Sequence, residues 1–312
     1  MDNEIYIIGS GAIGKALAVF LKQAHKPVTL VRGSVDNIPD AIHDITVIGK
    51  HETFQQAIPV TTFSNLSTIN GIVLIATKTF ANQEIAEKLR KIKGKFAIVL
   101  LQNGLNIEHP FKSFEHVYRC VLFSVSQVTG TNEVTFKTVT ASPVGSMDGK
   151  NDGLDALIAQ INTQHFAFRA ERDIVKYVWN KVIINCAFNS LCPLLETDNG
   201  IFHRNAEAKR LAQVVIKECV ALAKTQDIFL DAYEIAESLM LISQKSEGQL
   251  ISTYRDILNH RRTEIESLNL EIANLADSIR QPGLVSHTKL LGELTQLKSK
   301  TLNRKKPTAN IS

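Results

Sequence analysis

Lys181, Asn185 and Asn189 recur at every fourth residue in "VWNKVIINCAFNSL". On a helix this spacing sets an ammonium and two carboxamides along one face, drifting only about 40° per step. The other faces carry Trp179, Val182, Ile183 and Cys186, so the helix is expected to be largely buried. Polar groups on a buried helix need partners. Spacing alone leaves two readings open: the side chains bond neighbouring backbone, or they face a polar ligand in a cleft between domains.

A second kind of chemistry is offered near the start of the sequence. In "YIIGSGAIGKALAVFL" the glycines fall at 9, 11 and 14, after a strand-like run and at the opening of a helix-like one. That context suits a dinucleotide cradle. Gly9 allows the tight turn, Gly11 lets backbone approach a pyrophosphate, and Gly14 lets helix and strand pack closely. The helix start then offers free N–H groups and the positive end of its dipole to the phosphates. Where the second strand ends, "TLVRGS" supplies Arg32 and no acid. An acid there would hold a ribose 2′-hydroxyl, whereas a guanidinium grips a 2′-phosphate. The predicted cofactor is therefore NADPH; the alternative is that Arg32 is a surface charge. Lys78, in "IATKTF", is a further candidate for phosphates or substrate, with a solvated lysine as its alternative.

A third stretch, "LISTYRDILNHRRTEIESLN", carries Ser252, Asp256, Thr263 and Glu264. Read as one long helix, it separates Ser252 from Glu264 by roughly 18 Å. That is enough to meet a small substrate at one end and a cofactor at the other. A solvated face with local Glu–Arg pairs is the plainer reading.

Two kinds of text must position these groups. "IYIIG", "KPVTLVR", "GIVLIAT" and "KFAIVLLQ" are apolar runs separated by helical segments such as "AIGKALAVFLKQA" and "NQEIAEKLRKI". Buried runs joined by helices indicate a parallel α/β sheet. "EVTFKTVTASPVG" suggests antiparallel pairing. After about Ala170 strand signals nearly vanish and helical patterns follow one another. The expected architecture is α/β: a Rossmann-type dinucleotide-binding domain over residues 1–169 and an all-helical substrate domain over 170–312.

Composition narrows the function classes. Of 312 residues, 35 are basic and 31 acidic, a net charge of +4 that is too mild for a nucleic-acid binder. "KSKTLNRKKPTANIS" reads as a frayed basic tail. The apolar runs are too short to span a membrane, and the first residues lack a signal-peptide pattern. Cys120, Cys186, Cys192 and Cys219 form no C-x-x-C pair. Free thiols in a reducing, cytoplasmic compartment are expected. The histidines, His43 among them, are scattered without ligand spacing, so no metal is expected. The apolar helical half could support a homodimer.

Taken in order, GSGAIG, Lys78, LQNGLN, WNKVIINCAFN, STYRD and RRTEIESLN resemble the ketopantoate reductase (2-dehydropantoate 2-reductase) family through most of the chain. The resemblance implies NADPH-dependent reduction of a 2-keto acid, ketopantoate, to its hydroxy acid, pantoate, on the way to pantothenate and coenzyme A. It implies Lys181 as the catalytic lysine and Asn103 as an asparagine near cofactor and substrate. Asn185, Asn189, Asn199 (in "NGIF") and Ser252 match substrate-binding positions. Gly9, Ser10, Gly11, Ala12, Ile13, Gly14, Arg32, Lys78 and Glu264 match the cofactor side. Departures fall at Ala81, at Leu270 after Asn269, in "LFSVSQ", and at Val285–His287. They bear on which keto acid is taken. Alternatives are a reductase of another keto acid on this plan, or a non-catalytic NADPH-binding sensor.

Overall fold

The computed structural model describes residues 4–303. Two compact units divide the chain. One runs to Gln102 and resumes from Ile107 to Tyr177; the other takes Asn103–Asn106 and everything from Val178 onward. The boundary expected at 169–170 coincides with the end of the last strand, whereas the units part between Tyr177 and Val178.

The first unit is built on one eleven-stranded sheet. Its strands are β1 (Glu4–Ile8), β2 (Val28–Arg32), β3 (Ala41–Ile48), β4 (Thr53–Thr62), β5 (Gly71–Ile75), β6 (Phe96–Leu100), β7 (Val117–Cys120), β8 (Ser124–Gly130), β9 (Glu133–Thr138), β10 (Ser142–Gly145) and β11 (Phe168–Ala170). They lie in the order β11-β10-β7-β6-β5-β1-β2-β4-β3-β9-β8. From β7 through β6, β5, β1 and β2 to β4 every pairing is parallel, as the apolar runs predict. Strand order reverses at β1, which has β2 on one side and β5 on the other. Ligands of open α/β sheets bind at the carboxyl ends of strands flanking such a reversal.

Apolar cores cover both faces of the central strands. Ile5 and Ile7 of β1 join Leu17, Phe20 and Leu21 of α1 (Ala12–Gln23) in one core. Tyr6 and Ile8 join Ile85 and Leu89 of α2 (Asn82–Leu89) in the other. Each such apolar side chain contributes about 1.5–3 kcal/mol by leaving water. A third helix, α3 (Leu154–Ile161), ends on the ammonium of Lys26, which donates to the carbonyls of Ala159, Gln160 and Asn162 at 2.7–2.8 Å. The stretch read as antiparallel does pair that way, but not with itself. β9 pairs β8 at one end of the sheet and β10 pairs β7 near the other.

The second unit is helical: α4 (Ile174–Leu194) from Val178 onward, α5 (Ile201–Arg204), α6 (Ala206–Lys224), α7 (Ala232–Lys245), α8 (Ser252–Leu258), α9 (Asn269–Ser278) and α10 (Ser286–Asn303). The single helix expected from Ser252 to Glu264 does not form. His260 turns left-handed (φ 52°). The amide of Arg261 then bonds the carbonyl of Asp256, and that of His260 the carbonyl of Ile257. These two bonds are the Schellman closure of a helix end, here with histidine in the position glycine usually takes. Glu264 lies beyond it, at the head of a short 3₁₀ turn. The first part of the stretch read as a frayed basic tail is helical: residues 298–303 finish α10, and Lys298 donates to the Pro193 carbonyl and to Glu196. Residues 304–312 lie outside the described residues.

The start of α10 is held by Glu218 of α6. Its carboxylate accepts from the amides of His287 and Thr288, from Thr288 Oγ1 and from His287 Nδ1, at 2.7–3.0 Å. Burial pushes this carboxyl's pKa up; the hydrogen bonds outweigh it and hold the pKa below its ordinary value. A depressed folded pKa stabilises above the unfolded value and stops doing so as pH falls through the folded one. Glu218→Gln is therefore expected to cost about 1–2 kcal/mol near neutrality, with the deficit shrinking as pH falls below the ordinary glutamate range. Urea melts of both proteins at neutral and acid pH check this; a deficit independent of pH would remove the charge from the account.

Candidate active site

The loop after β1 makes the tight turn at Gly9 and the close packing at Gly14 that the spacing predicts. Gly9 has φ 121°, and a Cβ on it would stand 2.8 Å from the Thr77 amide nitrogen and 2.9 Å from the Ala76 carbonyl carbon. A Cβ on Gly14 would overlap the carbonyl oxygen of Gly9. On Gly11 it would meet nothing within 4 Å. Gly11 is also the N-cap of α1 and makes no side-chain cap. Ser10 and Gly11 are exposed, Ala12 and Ile13 half-buried. Open space thus lies in front of amides that carry the positive end of a 12-residue helix. This cradle fits a dinucleotide pyrophosphate.

Gly14→Ala forces the β1–α1 turn to move, because its steric conflict is with backbone. Overpacking of this kind costs about 1–3 kcal/mol. NADPH affinity is expected to fall about tenfold or more, read by fluorescence titration of the folded variant. Unchanged affinity would mean that the cradle is not used.

Other residues from the sequence reach the same strand ends. Arg32 closes β2, and its Nη2 donates to His43 Nε2 of β3 at 3.1 Å. The acids that follow Arg32 are occupied. Asp36 accepts from the Ser64 amide at 2.7 Å, and the Ser64 hydrogen bonds hold its pKa down at about 2. Asp40 accepts from Thr61 Oγ1 and Asn65 Nδ2. Lys78, half-buried, heads the 3₁₀ turn after β5. Beside it Thr77 takes a hydrogen bond from Gln102 Nε2, while Gln102 and Asn82 exchange two amide hydrogen bonds of 2.7 and 3.1 Å. The pair ties the end of β6 to the loop that carries Lys78. His43, Gln102 and Asn82 were not singled out by sequence reasoning. "LQNGLN" contains the signal for Gln102; His43 has none, because its partner is set by the β3–β4 hairpin.

In the helical unit α4 carries the stripe. Trp179, Val182, Ile183 and Cys186 are at most 3% exposed, as expected. Lys181 and Asn185 are half-buried, and Asn189 is buried. Asn189 Nδ2 donates to the Asn185 carbonyl at 3.0 Å, and its Oδ1 accepts from Ser252 Oγ and the Thr253 amide, each at 3.4 Å. Asn189 thus bonds nearby backbone, caps α8 and holds Ser252, whose residue is exposed. Asn199 sits in a loop pinned by Asp198, which accepts from the amides of Gly200 and Gly248 and from Arg204. The Asn199 side chain is buried, and its Oδ1 has no partner among the described residues. A buried acceptor left unmatched costs about 1–3 kcal/mol. Asn103 is exposed, in the segment whose Leu105 amide bonds the Ser267 carbonyl. Glu264 is half-buried.

Thiol chemistry finds no support. All four cysteines are free and buried. Burial, with Asp198 nearby, pushes the Cys192 thiol up to about 12, and burial beside Cys219 raises Cys186 well above its ordinary value. No group of three or more metal-ligating side chains occurs among the described residues. No described helix is long and apolar enough to cross a membrane.

A glycine cradle at the reversal point of a parallel sheet, followed by a separate helical unit, defines a dinucleotide-binding oxidoreductase of the two-domain kind. The chain belongs to the ketopantoate reductase family. Residues 5–149 match the family described as ketopantoate reductase PanE/ApbA, and residues 173–294 its C-terminal counterpart. The 2-dehydropantoate 2-reductase of Aquifex aeolicus is 30% identical over 293 residues, covering 88% of this chain and 91% of that protein. The enzyme of the same name from Pyrococcus abyssi is 22% identical over 280 residues, covering 88% and 92%. Among solved structures, a D-mandelate dehydrogenase with NADH and anilino(oxo)acetate has a TM-score of 0.85 at 20% identity, covering 96% of this chain and 99% of that one. A dimeric ketopantoate reductase from Staphylococcus aureus has a TM-score of 0.81 at 20% identity, with the same coverage. At that identity the structural likeness establishes the fold.

Proposed function

We propose that the protein reduces 2-dehydropantoate (ketopantoate) to pantoate with NADPH, a step toward pantothenate and coenzyme A. The observation that carries this is the family match across both units, joined to the Lys181–Asn185–Asn189 stripe on α4. The relatives named above bear the name of that activity.

NADPH, when bound, supplies a hydride for the ketone carbon. This chain supplies placement and charge. Residues Gly9 to Gly14 hold the pyrophosphate at the start of α1, Arg32 the 2′-phosphate, and Lys78, Asn103 and Glu264 the rest of the cofactor side. Lys181 sets its ammonium against the ketone oxygen, stabilises the negative charge that develops there, and gives that oxygen a proton. Solvent then restores the proton on Lys181. Asn185 orients the substrate's oxygens, and Asn199 accepts from its hydroxyl with the buried Oδ1 that has no partner among the described residues. Ser252 bonds the carboxylate, and Asn189 acts by fixing Ser252.

A second reading, reduction of another 2-keto acid, is favoured by the fold shared with D-mandelate dehydrogenase. Loss of NADPH absorbance with ketopantoate, set against a panel of 2-keto acids including an aryl one, separates the two. Preference for ketopantoate supports the proposal; preference for the aryl acid overturns it in favour of the second reading. No turnover with any keto acid would favour a non-catalytic NADPH binder. A homodimer is proposed from the dimeric Staphylococcus aureus relative, with sedimentation as its check. A reducing, cytoplasmic setting suits four buried free thiols.

A further inference from the structure

Arg32 does not stand alone at the end of β2. Its Nη2 donates to His43 Nε2 at 3.1 Å. A guanidinium has donors only, so Nε2 must carry the lone pair. His43 is then neutral, with its proton on Nδ1. Protonating Nε2 would break this bond and leave two cations face to face, unless an anion came between them.

Among the described residues no such anion faces His43. Across the hairpin, Ile58 of β4 stands opposite His43. α1, which packs on this face, contains lysines and no acid; the Lys15 ammonium donates to the Thr131 carbonyl. β9 brings Glu133 against Thr46, whose side chain lies on the other face of β3, and Glu133 accepts from Thr129. Asp44 also lies on that other face. Asp36 and Asp40 are bonded elsewhere. His43 itself is half-buried and so within reach of solvent protons.

We infer that His43 takes up a proton when a 2′-phosphorylated dinucleotide binds, so that His43 and Arg32 together clamp the phosphate. This rests on Arg32 being the 2′-phosphate ligand. Proton and phosphate each remove the obstacle to the other, and their coupling is reciprocal. Lowering the pH then tightens NADPH binding without affecting NADH. The balance is simple: one proton leaves solvent for Nε2, and the Arg32 Nη2 donor passes from His43 to a phosphate oxygen.

Titration calorimetry of the full chain, in two buffers of different ionisation heat, measures protons taken up with NADPH and with NADH. His43→Gln is the control, because its amide oxygen still accepts from Arg32 but binds no proton. It also subtracts any titration of the phosphate itself. The wild type is expected to take up about half to one proton more with NADPH than the variant does near pH 7.5, and none with NADH. Its NADPH-to-NADH affinity ratio is expected to rise about tenfold further than the variant's from pH 8 to pH 6. Equal proton uptake in the two proteins, with NADPH still preferred, overturns the role of His43 and leaves Arg32 standing. Equal affinity of the wild type for NADPH and NADH overturns the Arg32 reading, and the clamp with it.

Discussion

Lys181→Ala is expected to lower turnover by about 10²–10⁴-fold, the usual worth of a positioned general acid. NADPH affinity should stay within a few-fold, because Lys181 is not among the residues assigned to the cofactor. The loss should fall on kcat more than on KM, since charge on the substrate oxygen grows only as the hydride moves. Lys181→Arg separates two parts of the role. It keeps the cation but holds its proton far more tightly, and its planar head occupies a different volume. An arginine variant near wild-type speed would assign Lys181 to electrostatics alone. An alanine variant near wild-type speed would remove Lys181 from the chemistry altogether. Folding is not expected to confound the test, because Lys181 lies on the half-buried edge of α4 and the neighbours that anchor this helix, Val182 and Ile183, are untouched.

Arg32→Glu is expected to cut the preference for NADPH over NADH by about 10²–10³-fold, and it could invert it. Charge-assisted hydrogen bonds are worth about 1.5–3 kcal/mol each, and every 1.4 kcal/mol or so is tenfold. The variant loses such bonds and adds like-charge repulsion toward a 2′-phosphate, while its carboxylate can accept from a ribose 2′-hydroxyl. The two acids that follow β2, Asp36 and Asp40, already have donors of their own. Binding constants for both cofactors decide it; an unchanged ratio would leave Arg32 as a surface charge.

What the sequence made legible was local. The β1–α1–β2 unit follows from an apolar run, three glycines and a helical apolar stripe, all within one short stretch. The Lys181 helix was legible because four-residue spacing is itself a statement about faces. What stayed hidden depends on distant pairing. β3 and β4 bury only part of one face and interleave His43, Asp44, Gln55 and Gln56, so no clean apolar run marks them. The partner of Arg32 is visible only once that hairpin has folded beside β2. The end of α8 was missed because histidine, rather than glycine, takes the left-handed position. The role of Asn189 was undecidable from spacing, since the donors it satisfies come from α8, more than sixty residues on.

The helical unit borrows four residues, Asn103–Asn106, from the middle of the first unit's chain. Leu105 and Asn106 are secured there by Ser267 and Glu271. The two halves are thus not interchangeable cassettes: a recombinant swap at a single crossover near residue 177 would mate a helical half with a foreign tetrapeptide. Chimaeras that carry their own 103–106 segment should outperform those that do not.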